Sequence, residues 1–204
     1  MTVPETQTQT PVMTAAALYD ALLHNTAPYI LDVRNPDDFA RWRIEGRAGL
    51  MVENIPYYNF IEDEDGAVAR VPANREVLVV CAKEGSSQFV ADLLRARGVN
   101  ASYLEGGILS WGHLYDTRDI VVAPWGRIVQ VARPARGDVS FIVISDGAAA
   151  VIDPLRHNSA LPGGDCGAWR ATDAYLRYPR ARRPHQRRTG VEPRDWRTVL
   201  CSSV

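Results

Sequence analysis

The feature that most constrains this chain is a series of short apolar runs that do not alternate with polar residues, each followed closely by a segment with helical spacing. Val77-Leu-Val-Val80 is the clearest. Four such residues in a row describe a strand covered on both faces, whereas a half-exposed strand would alternate. The run stops at Cys81, and Cys81 to Gln88 reads as a loop of small residues. Phe89, Val90, Leu93 and Leu94 then recur at helical spacing until Gly98 supplies a C-terminal break. Tyr29-Ile-Leu-Asp-Val33 repeats the strand pattern, and Asn35-Pro36 opens a short helix through Phe39 and Trp42. Ahead of these, Thr14 is placed to cap a helix with Leu18, Leu22 and Leu23 on one face, ending near His24-Asn25. Ala101-Ser-Tyr-Leu104 is a further strand, followed by Gly106-Gly107 and a helix bearing Leu109 and Trp111. Such alternation argues for an α/β fold with a parallel sheet, whose ligands gather at the carboxyl ends of the strands. Cys81 sits at one of those ends.

With 46% of its 204 residues hydrophobic, the chain can bury one core of roughly 100–150 residues and leave a remainder to explain. A formal net charge of −1 gives no field that would argue for nucleic acid, anionic membrane or acidic substrates as partners. The balance hides a skew: Lys83 is the single lysine among 23 basic residues, and nine arginines fall between Arg170 and Arg197. Three cysteines, Cys81, Cys166 and Cys201, with no C-x-x-C pair, fit neither a disulfide framework nor a zinc site and favour a reducing compartment. Residues 1–13 read as a polar, disordered leader without the features of a signal peptide, and no run of about 18 apolar residues could span a membrane. The expected location is the cytoplasm.

A cysteine at a strand end, followed by a tight loop and a helix, suits nucleophilic sulfur chemistry. Successive backbone N–H groups and the helix N-terminus place partial positive charge beside the sulfur and favour the thiolate. Lys83 would add to that field if it pointed inward, and Gly85, Ser86 and Ser87 keep the loop tight and offer hydroxyl donors. Glu84 is either a solvated carboxylate or, facing inward, an opponent of the thiolate. The plainer reading of Cys81 is a small buried hydrophobe at a strand end. Tyr103 and Trp111 are most simply core.

Several of these segments together resemble the rhodanese (sulfurtransferase) family over about residues 14–115. They are Leu31-Asp-Val-Arg34 with Asp37, Asp38 and Phe39, the strand into Cys81, the C-A-K-E-G-S-S loop, and Tyr103-Leu-Glu-Gly-Gly107 with Trp111. The resemblance implies a rhodanese-like parallel sheet with helices on both faces. It implies Cys81 as the catalytic nucleophile that carries a persulfide, and Ala82, Lys83, Glu84, Gly85 and Ser86 as the amide cradle for substrate, closed by Ser87. Asp32 and Arg34 read as a supporting salt bridge that braces the active loop. The implied partners are a small sulfur donor, thiosulfate or a persulfide, and a thiol or cyanide acceptor, with no cofactor and no metal. Two departures stand out. Ser86 occupies the place where many active members carry an oxyanion-gripping arginine, and Ile44-Glu-Gly-Arg-Ala-Gly49 replaces the usual Gly-His-Ile-Pro-Gly-Ala segment. Both point away from thiosulfate and toward a persulfide donor. They also keep open a catalytically idle rhodanese-like binding module. A phosphatase, which needs an arginine to close the loop, fits poorly.

Beyond Ile120 the texture changes. Ile128-Val-Gln-Val131, Val139 to Ile144 and Ala148 to Ile152 are strand-like, and Asp146-Gly147 is a hairpin signal. Residues 120–157 resemble the first strands of the metallo-β-lactamase fold, as found in relatives of persulfide dioxygenases and other metallohydrolases. Those need a His-x-His-x-Asp-His metal motif soon afterwards, and the remaining histidines, His113, His157 and His185, lack ligand spacing. Residues 158–204 are Pro-, Gly- and Arg-rich without periodicity and read as a disordered tail. When Tyr178 to Gly190 is back-translated with allowed codons and read one base later, it can encode T-H-A-H-A-D-H-I-S-G-G-R, which contains the missing motif. The expectation is therefore a frameshift soon after His157, leaving a truncated second domain, inactivated by loss of its metal motif, and an out-of-frame tail. An evolved basic arm for RNA or DNA is the alternative. The expected layout is a leader over 1–13, a rhodanese-like domain over 14–116, an incomplete antiparallel β stub over 120–157 and a tail over 158–204. Oligomeric state is left open.

Overall fold

A computed structural model describes residues 9–46, 48–145, 148–153 and 201–202. The chain divides into two compact units between Leu114 and Tyr115.

The first unit is built on a five-stranded, wholly parallel sheet. Its strands are β1 (Val12–Met13), β2 (Tyr29–Asp32), β3 (Val52–Asn54), β4 (Val77–Val80) and β5 (Ala101–Leu104), in the spatial order β1-β5-β4-β2-β3. Every residue of β2, β4 and β5 is buried, which is the physical reason their sequences show no polar alternation. Helix α1 (Ala15–Leu23) starts where Thr14 accepts a hydrogen bond from the Ala17 amide at 3.1 Å, and it gives way to Asn25 in the left-handed region. Helix α2 (Pro36–Arg41) has Asn35 at its cap and proline in its first turn, although the Asn35 side chain makes no capping bond. Two short helices, α3 (Asn59–Glu62) and α4 (Glu64–Ala69), follow β3 and bring Phe60 and Ala67 into the core. Helix α5 (Gly85–Ala96) follows β4 and stops before Gly98 at φ +82°. Helix α6 (Gly107–Gly112) completes the unit and buries Trp111.

Two expectations are corrected here. The leader was expected to be disordered through residue 13, yet Val12–Met13 forms an edge strand along Tyr103 and Leu104. Main-chain pairing on an open edge does not require an apolar pattern. Residues 1–8 of that expectation lie outside the described residues. The loop after Cys81 is shorter than its composition suggests, because Gly85, Ser86 and Ser87 already belong to α5. The segment Ile44–Gly49 contains one position, 47, outside the described residues.

The second unit is an antiparallel meander of β6 (Asp116–Ala123), β7 (Gly126–Arg133), β8 (Asp138–Ser145) and β9 (Ala148–Ile152). Strand β10 (Cys201–Ser202) pairs with β9 at the far edge, so two residues of the expected disordered tail take part in the sheet. The Asp146-Gly147 hairpin signal lies outside the described residues, but β8 and β9 flank it in register, with Ser145 opposite Ala148. Val129, Val131 and Ile142 form the small buried core of this unit. The sheet starts at Asp116, opposite Ala132, earlier than the apolar run at Ile120 indicated, and a bulge between Asp119 and Val121 interrupts β6. Among the described residues, no helix is long and apolar enough to cross a membrane.

Across β2 and β3, the Tyr29 hydroxyl donates to Glu53 at 2.6 Å, and Arg70 reaches the other carboxylate oxygen at 2.7 Å. The bond from Tyr29 holds the Glu53 carboxyl below its ordinary value, while burial, aided by that same bond, pushes the Tyr29 hydroxyl up. A depressed carboxyl contributes stability that is present above its unfolded value and lost as pH falls through its folded one. A raised phenol contributes stability that is present below its unfolded value and lost as pH rises. Tyr29→Phe is therefore expected to cost about 1 kcal/mol in urea denaturation at neutral pH. The gap to wild type should narrow as pH falls below the ordinary carboxylate range and Glu53 takes up its proton, and a gap independent of pH would refute this assignment.

Candidate functional site

The carboxyl ends of β2 and β4 lie side by side, joined by a bond from Val33 N to Val80 O at 2.8 Å. Cys81 follows β4 directly. It is a free cysteine, 4% exposed, packed within the main core. Its thiol donates to Ser87 Oγ at 3.2 Å, and Ser87 Oγ donates in turn to the Glu84 carbonyl at 2.8 Å. Ser87 is fully buried, so it acts as the inner wall of the loop, while Ser86 is half-buried. Ala82, Lys83, Glu84 and Gly85, which follow it, are exposed.

The shape of the loop is imposed from the β5–α6 turn. Ile108 N donates to Cys81 O at 2.8 Å and Leu109 N to Ala82 O at 3.4 Å, while Gly106 N donates to the Glu84 carboxylate at 3.1 Å. The loop carbonyls are therefore committed to α6. The backbone N–H groups of Ala82 to Ser87 donate to nothing among the described residues, as expected for an anion cradle that continues into the first turn of α5. Gly106 and Gly107 have φ of +63° and +59°, and a Cβ on Gly107 would fall 2.3 Å from Lys83 O and 2.5 Å from Cys81 O. Only glycine allows that approach. The sequence displayed the glycine pair but not its purpose, which depends on the turn docking against a loop more than twenty residues away.

Asp32 and Arg34 form the anticipated pair, both buried. Arg34 Nε donates to the two carboxylate oxygens at 2.9 and 3.1 Å, and Nη2 approaches Oδ2 to 2.6 Å. The remaining bonds of the pair differ from expectation. Arg34 Nη2 reaches Trp42 O at 2.7 Å, and Asn54 Nδ2 bonds both Asp32 O and Arg34 O, at 2.8 and 2.9 Å. The pair thus secures the exit of β2 to α2 and β3, and none of these hydrogen bonds reaches residues 81–87. Glu84 is likewise no loose loop carboxylate, since its side chain is engaged at Gly106. Among the described residues, no group of three His, Cys, Asp or Glu side chains could hold a metal ion.

The family model of the rhodanese-like domain matches residues 14–114, and this part of the chain is a rhodanese-like domain. The thiosulfate sulfurtransferase GlpE of Stutzerimonas stutzeri (strain A1501) is 29% identical over 94 residues, covering 46% of this chain and 78% of that protein. A rhodanese-like domain protein from Staphylococcus aureus is 28% identical, with a TM-score of 0.41, over 50% of this chain and 91% of that one. A rhodanese-related protein from Thermoplasma volcanium is 29% identical, with a TM-score of 0.40, over 50% and 89%.

The glycine contacts separate two effects of substitution. Gly98 has φ +82° and open space around its Cβ direction, whereas Gly107 combines positive φ with collision against two carbonyl oxygens. Gly98→Ala should cost about 1 kcal/mol, from backbone strain alone. Gly107→Ala should cost about 3 kcal/mol or more and displace the Cys81 loop. Equal losses for the two variants in chemical denaturation would show that the turn is not docked as described.

Proposed function

We propose that residues 14–114 act as a sulfurtransferase or persulfide carrier, with sulfane sulfur held on Cys81. The observation that carries this reading is the cysteine loop itself: a free thiol bonded to a buried serine, followed by six consecutive amides without acceptors among the described residues. The family match and the likeness to a thiosulfate sulfurtransferase support it.

In the first half-reaction the Cys81 thiolate attacks the outer sulfur of a donor. The donor S–S bond breaks, its electron pair leaves with a thiolate or with sulfite, and Cys81 becomes a persulfide. In the second, a thiolate or cyanide acceptor attacks the terminal sulfur and releases the Cys81 thiolate, giving a new persulfide or thiocyanate. The amides of Ala82 to Ser86 stabilise the terminal sulfur anion. Lys83 is the one cationic side chain of the loop, exposed and adjacent to the anionic Glu84. A site of such modest positive charge suits a monoanionic persulfide better than the thiosulfate dianion. The domain works at this site without a cofactor, in the cytoplasm.

For the second unit we infer that β6 to β9 are the opening strands of a metallo-β-lactamase fold, inactivated by a frameshift soon after His157. In this reading residues 158–204 are out-of-frame sequence. The meander supports it, together with the metal motif recovered one base out of frame across Tyr178 to Gly190. In an intact relative the rhodanese-like domain would exchange sulfur with that metal site. Resequencing codons 155–190 tests the inference, which fails if no reading frame encodes the motif; stoichiometric iron or zinc in the purified protein would also overturn it.

A binding module without catalysis is the second reading, favoured by the 4% exposure of Cys81 within the core. Intact-protein mass after incubation with thiosulfate or a low-molecular-weight persulfide separates the two. The expected result is a gain of one sulfur atom from the persulfide, less from thiosulfate, removed by cyanide and absent in Cys81→Ser. A folded protein that gains sulfur from neither donor is a binding module.

A further inference from the structure

Helix α6 has no side chain at its cap, because Gly106 occupies that position. The N–H groups that open such a helix need acceptors from elsewhere, and the cysteine loop provides three: the Glu84 carboxylate for Gly106, Cys81 O for Ile108 and Ala82 O for Leu109. Two of these acceptors are main-chain carbonyls that any sequence supplies. The third is a side chain, so it exists only because residue 84 is a glutamate.

Glu84 is also where the loop becomes helix. Its backbone stands at φ −150° and ψ −46°, and its carbonyl accepts from Ser87 Oγ at 2.8 Å and Gln88 N at 3.0 Å. Ser87 Oγ is the atom that receives the Cys81 thiol. One residue thus holds the α6 turn through its side chain and the sulfur, by way of Ser87, through its carbonyl. A shift of Glu84 is passed to both.

We propose that Glu84 is a positioning residue: by accepting the Gly106 N–H, its carboxylate fastens the outer end of the cysteine loop to the α6 turn and keeps the loop amides arranged around Cys81. It acts as a hydrogen-bond acceptor and not through its charge. The kinetic consequence rests on sulfur transfer through Cys81; the fastening itself does not.

The test compares the wild-type full chain with Glu84→Gln, which keeps an amide oxygen for Gly106, and with Glu84→Ala, which keeps neither acceptor nor charge. Amide hydrogen exchange at Gly106 should rise by about 3- to 10-fold in the alanine variant and stay within about 2-fold of wild type in the glutamine variant, in line with one partly exposed hydrogen bond. The amide resonances of Ala82 to Ser87 should move in the alanine variant alone. Formation of the Cys81 persulfide, followed by mass, should slow by about 3- to 10-fold in Glu84→Ala and recover in Glu84→Gln. Unaltered Gly106 exchange and loop resonances in Glu84→Ala overturn the proposal, and so does a glutamine variant that behaves like alanine, because charge would then be the operative property. A wild type that accepts no sulfur defeats the sulfur-transfer reading alone, and exchange at Gly106 still decides on the fastening.

Discussion

The carbonyl oxygens of Cys81 and Ala82 point to α6, and most of what makes the site chemically interesting depends on that one arrangement. A tight loop between a strand and a helix can turn either its carbonyls or its amides toward the space above the strand end. Here the opening N–H groups of α6 take the carbonyls, which leaves the amides of Ala82 to Ser87 without acceptors among the described residues. The same contact settles the identity of residues 106 and 107, since any Cβ at Gly107 would collide with the oxygens that must be bonded. Cap, turn and cradle are therefore one interlocked unit, and none of its three parts has a separate structural explanation.

The Asp32–Arg34 pair fixes the neighbouring strand by a different route. Two opposite charges taken out of water are costly unless geometry and further hydrogen bonds compensate. Arg34 is held at Nε and Nη2 by Asp32 and again by Trp42 O, and the backbone carbonyls on either side of Val33 both accept from Asn54. The polar groups at the exit of β2 are thereby satisfied by α2 and β3. Since Val33 N bonds to Val80 O, a fixed β2 exit also fixes the last residue of β4, and the influence of the pair on Cys81 passes through the sheet and not through the loop.

How much of this was legible in the sequence follows from which interactions are local. Strand β4 and strand β5 occupy the residues their apolar runs marked, the Thr14 cap is a bond over three residues, and Gly98 ends α5 by its own backbone freedom. Such signals lie within a few residues of what they specify. Strand β3 and helices α3 and α4 are too short to display a period, and β1 is held by main-chain pairing that leaves no trace in side-chain pattern. At the site, the place of Cys81 at a strand end before a loop and a helix was legible from element order, while Ser87 as the loop-closing residue came from the family resemblance. The engagement of Glu84 by Gly106 and the close approach of Gly107 could not be read in either way, because each joins segments about 22 residues apart, and sequence alone shows neither partner beside the other.

A nearly buried sulfur at the heart of the site is consistent with transfer chemistry once the size of the reacting group is considered. A sulfane donor presents a single terminal atom, so the nucleophile needs an end-on path and little open surface. Burial of Cys81 within the main core cluster keeps most water from the sulfur, and hydrogen bonds made in that dry setting are stronger than the same bonds in solvent. Under the proposed transfer, the exposed segment Ala82 to Gly85 is where a donor and an acceptor would approach in turn. Under the proposed function, a buried sulfur and loop amides without acceptors among the described residues together separate a carrier of one sulfur atom from a cysteine that merely fills a core.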